Sequence, residues 1–169
     1  MTPPPRRPFH EPLPPGSARL LPWTSVMAGS LVTILPWGGT LPLLPPFGLL
    51  MMLSWRLLAP LSLRVWAPAL LGLFDDLVSG QPVGSAMLLW TLAYFLVEAM
   101  DARSGVRDFV QSWAIAAVAI ALCLAGGRLV ATPLGAHVDS VLLLQIVIAI
   151  LIFPATARMV AWIDLKRAL

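Results

Sequence analysis

Five stretches of this chain carry no charged side chain: residues 20–55, 65–74, 77–97, 109–127 and 140–157. A helix that crosses a bilayer once needs roughly 17–25 predominantly apolar residues, and every tract but 65–74 reaches that length. Only 11% of the 169 residues are charged, against about 25% in soluble domains, so the chain reads as an all-α polytopic membrane protein. The first tract is long enough for two helices. Pro36, Gly38, Gly39, Pro42, Pro45 and Pro46 interrupt it with turn chemistry, which divides it between Trp37 and Pro46. The expectation is about six transmembrane helices, over residues 20–37, 46–60, 65–80, 84–100, 109–131 and 139–162. The third is short and acidic. It can span only if Asp75 and Asp76 face protein or the aqueous boundary, and a re-entrant hairpin is its alternative.

The basic residues set the orientation. Arg6, Arg7, Arg19, Arg56, Arg64, Arg103, Arg107, Arg158, Lys166 and Arg167 all fall on one side if the N-terminus is cytoplasmic, leaving Arg128 on the other. That distribution satisfies the positive-inside rule with both termini cytoplasmic. The formal net charge of +3 therefore reports topology. Nucleic-acid binding is not indicated, because the cations are scattered over short loops and form no stripe. Residues 1–19 hold seven prolines, at positions 3, 4, 5, 8, 12, 14 and 15, which remove donors and fix φ. They read as a Pro-rich disordered cytoplasmic tail and not as a secretory signal, followed by one helical membrane domain over 20–169.

Catalytic chemistry finds little to work with. His10 lies in the tail and His137 in an outer loop, so no His-based relay or metal site has partners at helical spacing. Cys123 stands alone in mid-span, which excludes a disulfide within the chain and a thiolate metal site. Gly38-Gly39 and Gly126-Gly127 lack the strand and helix setting of a phosphate loop. The chain reads as a non-enzyme without metal or cofactor.

What stands out is an acidic pair in membrane-grade sequence, Gly72-Leu73-Phe74-Asp75-Asp76-Leu77-Val78-Ser79-Gly80-Gln81-Pro82-Val83-Gly84. A carboxylate at bilayer depth costs at least about 2.5 kcal/mol, so something must contact these acids or they must lie near the head groups. Adjacent helical residues point about 100° apart, so the two do not form an acid dyad. A polar membrane site at Asp75 and Asp76 competes with a structural or partner-contact role. Gly80 suits a left-handed C-terminal cap and Pro82 forbids continuation. Ser85 is placed to accept a bond from a free amide of the next helix, giving a tight outer hairpin. Arg56 beside Trp55, and Arg158 near Trp162, are expected to snorkel while the rings anchor the interface. Glu98 and Asp101 read as a solvated helix end, Asp108 and Asp139 as helix starts. Ala114, Ala117, Ala121 and Ala125 are expected to pack internally.

These segments resemble the family of rod shape-determining protein MreD, a small integral membrane component of the bacterial elongation machinery. The resemblance covers nearly everything after the tail and is strongest at the Gly72 to Gly84 segment, where Asp76, Gly80 and Gly84 match the family's Asp followed by a Gly hairpin. Pro46-Phe47-Gly48-Leu49 leading to Trp55, and Phe153-Pro154 before a basic tail, are similar to family features. The chain departs in its second acid, Asp75, and in its Pro-rich extension. The resemblance implies a non-catalytic scaffold in the cytoplasmic (inner) membrane that binds MreC and links MreB filaments to RodA and its penicillin-binding transpeptidase. It also implies a fold similar to the substrate-binding subunits of energy-coupling-factor vitamin transporters, and hence an alternative function of that kind. Such a subunit would line an outward cavity with polar groups. The outer loops offer little for this beyond Gln81, Thr132, His137 and Asp139.

Overall fold

The computed structural model describes residues 20–33, 44–101, 108–131 and 140–167. The Pro-rich tail, His10, His137 and Asp139 lie outside the described residues. Six helices run through the rest: α1 (Leu21–Val32), α2 (Phe47–Leu58), α3 (Ala67–Ser79), α4 (Ser85–Asp101), α5 (Phe109–Ala131) and α6 (Ser140–Arg167). Each falls within or close to an expected span. Prolines start the helices as well as separating them. Pro22 and Pro68 occupy the first turns of α1 and α3, and Pro46 is the N-cap of α2, positions where a missing N–H costs nothing because no intrahelical acceptor exists.

The lengths bear on which helices can cross a bilayer. At 1.5 Å per residue, α1 and α2 are each about 18 Å long and α3 about 20 Å, against about 30 Å of hydrocarbon. The structure therefore shows two helices, α5 and α6, that are long and apolar enough to cross a membrane. α2 does not need that length because it is enclosed by protein. Every residue from Gly48 to Arg56 is buried, and α2 packs against α1, α4, α5 and α6. α6 runs five residues past the expected end at 162, through Asp164, Lys166 and Arg167. Charge ends the stretch a bilayer can cover, but Leu165, Lys166 and Arg167 are residue types of good helix propensity and need not end the helix.

Close backbone approaches hold the bundle together. A Cβ on Gly29 would come within 3.0 Å of the Phe47 carbonyl carbon, which fixes the α1/α2 crossing. One on Gly72 would lie 2.6 Å from the Ala86 carbonyl oxygen and 2.7 Å from Met87 Cα, so α3 and α4 meet backbone to backbone there. Tight packing of this kind must carry much of the association in lipid, where apolar side chains gain little by leaving an equally apolar solvent.

Two expected interface anchors are core residues instead. Trp55 is fully buried, and its indole Nε1 donates to Ser25 Oγ at 2.8 Å, tying α2 to α1. Arg56 does not snorkel: 6% exposed, it pairs with Asp101 at 3.1 Å and lies 5.0 Å from the centre of the Tyr94 ring. Asp101 is thus an ion-pair partner and not merely a solvated end. The tail of α6 is closer to expectation, with Arg158 exposed and Lys166 Nζ 3.7 Å from the centre of the exposed Trp162 ring. In α5 the packing face is Ile115, Ala116, Ala119, Ile120 and Cys123. Ala114 is exposed and Ala117, Ala121 and Ala125 are half-buried, so the expected alanine stripe is not the internal seam.

Pro154 sits inside α6 without ending it. Its missing N–H leaves the Ile150 carbonyl, four residues earlier, without an intrahelical donor. Trp113 of α5 supplies one, with Nε1 donating to Ile150 O at 3.0 Å. One turn on, Thr156 Oγ1 donates to Phe153 O at 2.8 Å and lies 3.4 Å from Ser54 Oγ of α2. A proline that would weaken an isolated helix becomes a joint between α5 and α6.

Most of α5 and α6 nevertheless faces outward. Val118, Leu129, Leu143, Val147 and Leu151 are each more than half exposed, and only 28% and 22% of the apolar windows of α5 and α6 are buried. A core helix of a soluble protein would be mostly covered, and a water-soluble monomer rarely shows a contiguous apolar face on this scale.

Candidate functional site

The candidate site occupies one end of the bundle, where the C-terminal ends of α3 and α5 meet the N-terminal ends of α2, α4 and α6. Asp76 organises it. The side chain is 1% exposed and accepts hydrogen bonds from Gly84 N (2.8 Å), Ser85 Oγ (2.9 Å), Ala86 N (2.8 Å) and Met87 N (3.3 Å). The first turn of any helix leaves amides without acceptors, and a carboxylate there also favours the positive end of the helix dipole. Asp76 therefore caps α4 from the neighbouring helix. Ser85 reverses its expected role: it is the first residue of α4, and its hydroxyl donates to Asp76 instead of accepting from an amide.

The hairpin backbone is built to bring these groups together. Gly80 is the C-cap of α3 in the left-handed region, φ 69° and ψ 20°, and Gly84 has φ 98°. Both values favour glycine. Open space surrounds either Cβ position, so conformation alone accounts for the residue type. Pro82 cannot extend α3, and its carbonyl accepts the Ser85 amide at 3.0 Å. Gly72 lies four residues before Asp76, hence on the same side of α3, and its missing side chain lets α4 come close enough for the carboxylate to reach four donors. That spacing is visible in the sequence, yet Gly72 could be recognised as part of the site only once its neighbour was known.

Asp75 points elsewhere. It is half-buried, beside Ser30 of α1, whose Oγ is buried without a hydrogen bond of good geometry. Asp75 also lines a partly open cavity of about 230 Å3, together with Gln81, Ser85, Trp90, Arg128 and Gln145. Gln145 Nε2 donates to Leu44 O at 2.9 Å, anchoring α6 to the start of α2. Cys123 Sγ, also on the wall, lies 3.4 Å from Leu89 O. Of the four polar groups expected in the outer loops, Gln81 lines the cavity and the other three lie outside the described residues. The rest of the described polar lining comes from helices, because the hairpin and the ends of α5 and α6 converge on one pocket.

The site residues singled out in the sequence thus divide. Asp76, Gly80, Pro82 and Gly84 form one hydrogen-bonded hairpin, with Asp75 on its far side. Trp55 and Pro154 lie away from it, in the α1/α2 and α5/α6 packing. Among the described residues no three His, Cys, Asp or Glu side chains gather as a metal site. The fold and site define an all-helical bundle consistent with a helical membrane protein. No family model, curated protein or solved structure matches the chain.

Proposed function

We propose that the chain is a multi-pass, non-catalytic scaffold of the inner membrane, with both termini cytoplasmic, that maintains rod shape by binding MreC and connecting MreB to RodA and its transpeptidase. The reading starts from the resemblance to the MreD family at Asp76, Gly80 and Gly84, and one observation carries it further. Asp76, the most deeply buried acid among the described residues, has its oxygens occupied by four donors at the start of the next helix, a fixing role that needs neither proton transfer nor ligand. The outward apolar surface of α5 and α6 supplies area for partner helices. Depleting the protein in its host should round or swell the cells and release MreC from its complex. Normal rods with MreC still complexed would refute the proposal.

A second reading, a substrate-binding subunit of a vitamin-type transporter, is favoured by the cavity beside Asp75. At about 230 Å3 it is smaller than the roughly 300–1,000 Å3 of most ligand pockets. Retention of a vitamin-like molecule through purification, with normal shape on depletion, would select this reading over the first.

A further inference from the structure

The cavity needs its own account, because a scaffold does not require one. Its charged lining residues come from different helices, Asp75 from α3 and Arg128 from α5. Gln145 of α6 commits Nε2 to Leu44 O, so its Oε1 is the part of the amide with acceptor capacity left. Leu49, Leu89, Leu124 and Leu142 supply apolar wall between these groups. Among the described residues the wall carries one acid and one cation, which matches an occupant carrying both signs better than a plain anion or cation. Asp76, the neighbouring acid, is not on the wall and is saturated by the start of α4. That leaves Asp75, half-buried beside Ser30, as the acid on the described wall.

From this juxtaposition we infer that the cavity binds a small zwitterion, with a primary ammonium at Asp75 and an anionic phosphate or carboxylate at Arg128. The inference does not rest on the scaffold reading. A primary ammonium offers three N–H donors to the carboxylate, whereas a trimethylammonium offers none and is bulkier. A guanidinium presents five donors in a planar fork suited to phosphate or carboxylate oxygens, and can hold such a group while keeping another contact. At this volume the cavity takes only a small molecule or a head group whose remainder lies outside it. Asp75 is five residues before the C-cap of α3, and Arg128 three residues before the end of α5. Both therefore lie within about 8 Å of a helix end at 1.5 Å per residue, a depth that a lipid head group or a soluble zwitterion can reach.

Native mass spectrometry of the full chain, purified in detergent, tests this with phosphatidylethanolamine, phosphatidylcholine and phosphatidylglycerol in one arm and water-soluble phosphoethanolamine in the other. Phosphatidylethanolamine should be retained about tenfold or more over the other two lipids, the scale of one charge-assisted hydrogen bond. Asp75→Asn should remove the preference for ethanolamine over glycerol, and Arg128→Gln should weaken retention of both. Saturable binding of phosphoethanolamine would identify a free zwitterion as an occupant, whereas lipid binding alone would identify the head group. Wild-type protein that retains the three lipids equally and binds no phosphoethanolamine overturns the inference, whether or not either variant folds. So does an unchanged ethanolamine preference in a folded Asp75→Asn protein.

Discussion

Replacing Asp76 by alanine should be among the most damaging single changes in the chain. The substitution removes the acceptor for three amides, Gly84, Ala86 and Met87, and for the Ser85 hydroxyl. A buried donor without a partner costs about 1–3 kcal/mol, and loss of an ordinary N-cap about 0.5–2 kcal/mol. Met87 contributes least, its bond being 3.3 Å long, and water can reach the hairpin through Gly84, which is only half-buried. Allowing for both, the expected loss is about 3–4 kcal/mol, near the upper end of single-residue effects. Asp76→Asn keeps one carbonyl oxygen but turns the other position into a donor facing donors, so it should lose about half as much. Asp75→Ala should cost less than about 1 kcal/mol, because no amide of α4 depends on it. The assay is equilibrium unfolding of the full chain in mixed micelles, followed by far-UV circular dichroism, with all three variants in one detergent. Asp76→Ala within about 0.5 kcal/mol of wild type, or no more damaging than Asp75→Ala, would refute the cap as the reason an acid sits there.

Gly72→Ala should separate α3 from α4 and cost about 2 kcal/mol or more, since the added methyl meets backbone. Gly126→Ala, whose methyl meets only the flexible end of Leu89 at 2.6 Å, should cost much less, and equal losses in the same unfolding assay would contradict this. Trp113→Phe should cost about 1 kcal/mol beside Pro154 and much less beside Pro154→Ala, where residue 154 again supplies the Ile150 carbonyl with a donor. A double-mutant cycle with no coupling would rule that joint out. Reporter fusions at Gly135 and Leu169 should report opposite sides of the membrane; the same side would show that the number of crossings between them is even.

Helices, their order and the glycine hairpin were legible because they depend on local chemistry. Uncharged tracts mark the apolar segments, and Gly80 and Pro82 end one helix whatever surrounds them. The same logic counted six spans from the uncharged tracts, whereas the structure shows two helices long and apolar enough to cross a membrane and encloses α2 in protein. It also placed Trp55 and Arg56 at an interface, as residue types favoured there, when α1, Tyr94 and Asp101 enclose them. Residue type reports what a side chain can do, whereas burial depends on which helices are neighbours, and no local pattern encodes that.

The acid pair shows the division most clearly. By itself the sequence determined that two carboxylates in an apolar segment need partners, and that adjacent helical positions send them in different directions, because desolvation cost and the 100° helical turn are properties of the chain alone. Only the tertiary structure decided which partners they have. Gly72 lets α4 approach until its first turn surrounds Asp76, while Asp75 is left facing Ser30 and a cavity shared with Arg128 and Gln145, residues more than 50 positions away. The rule that buried polar groups find partners is general, but the geometry that selects each partner comes from how whole helices pack.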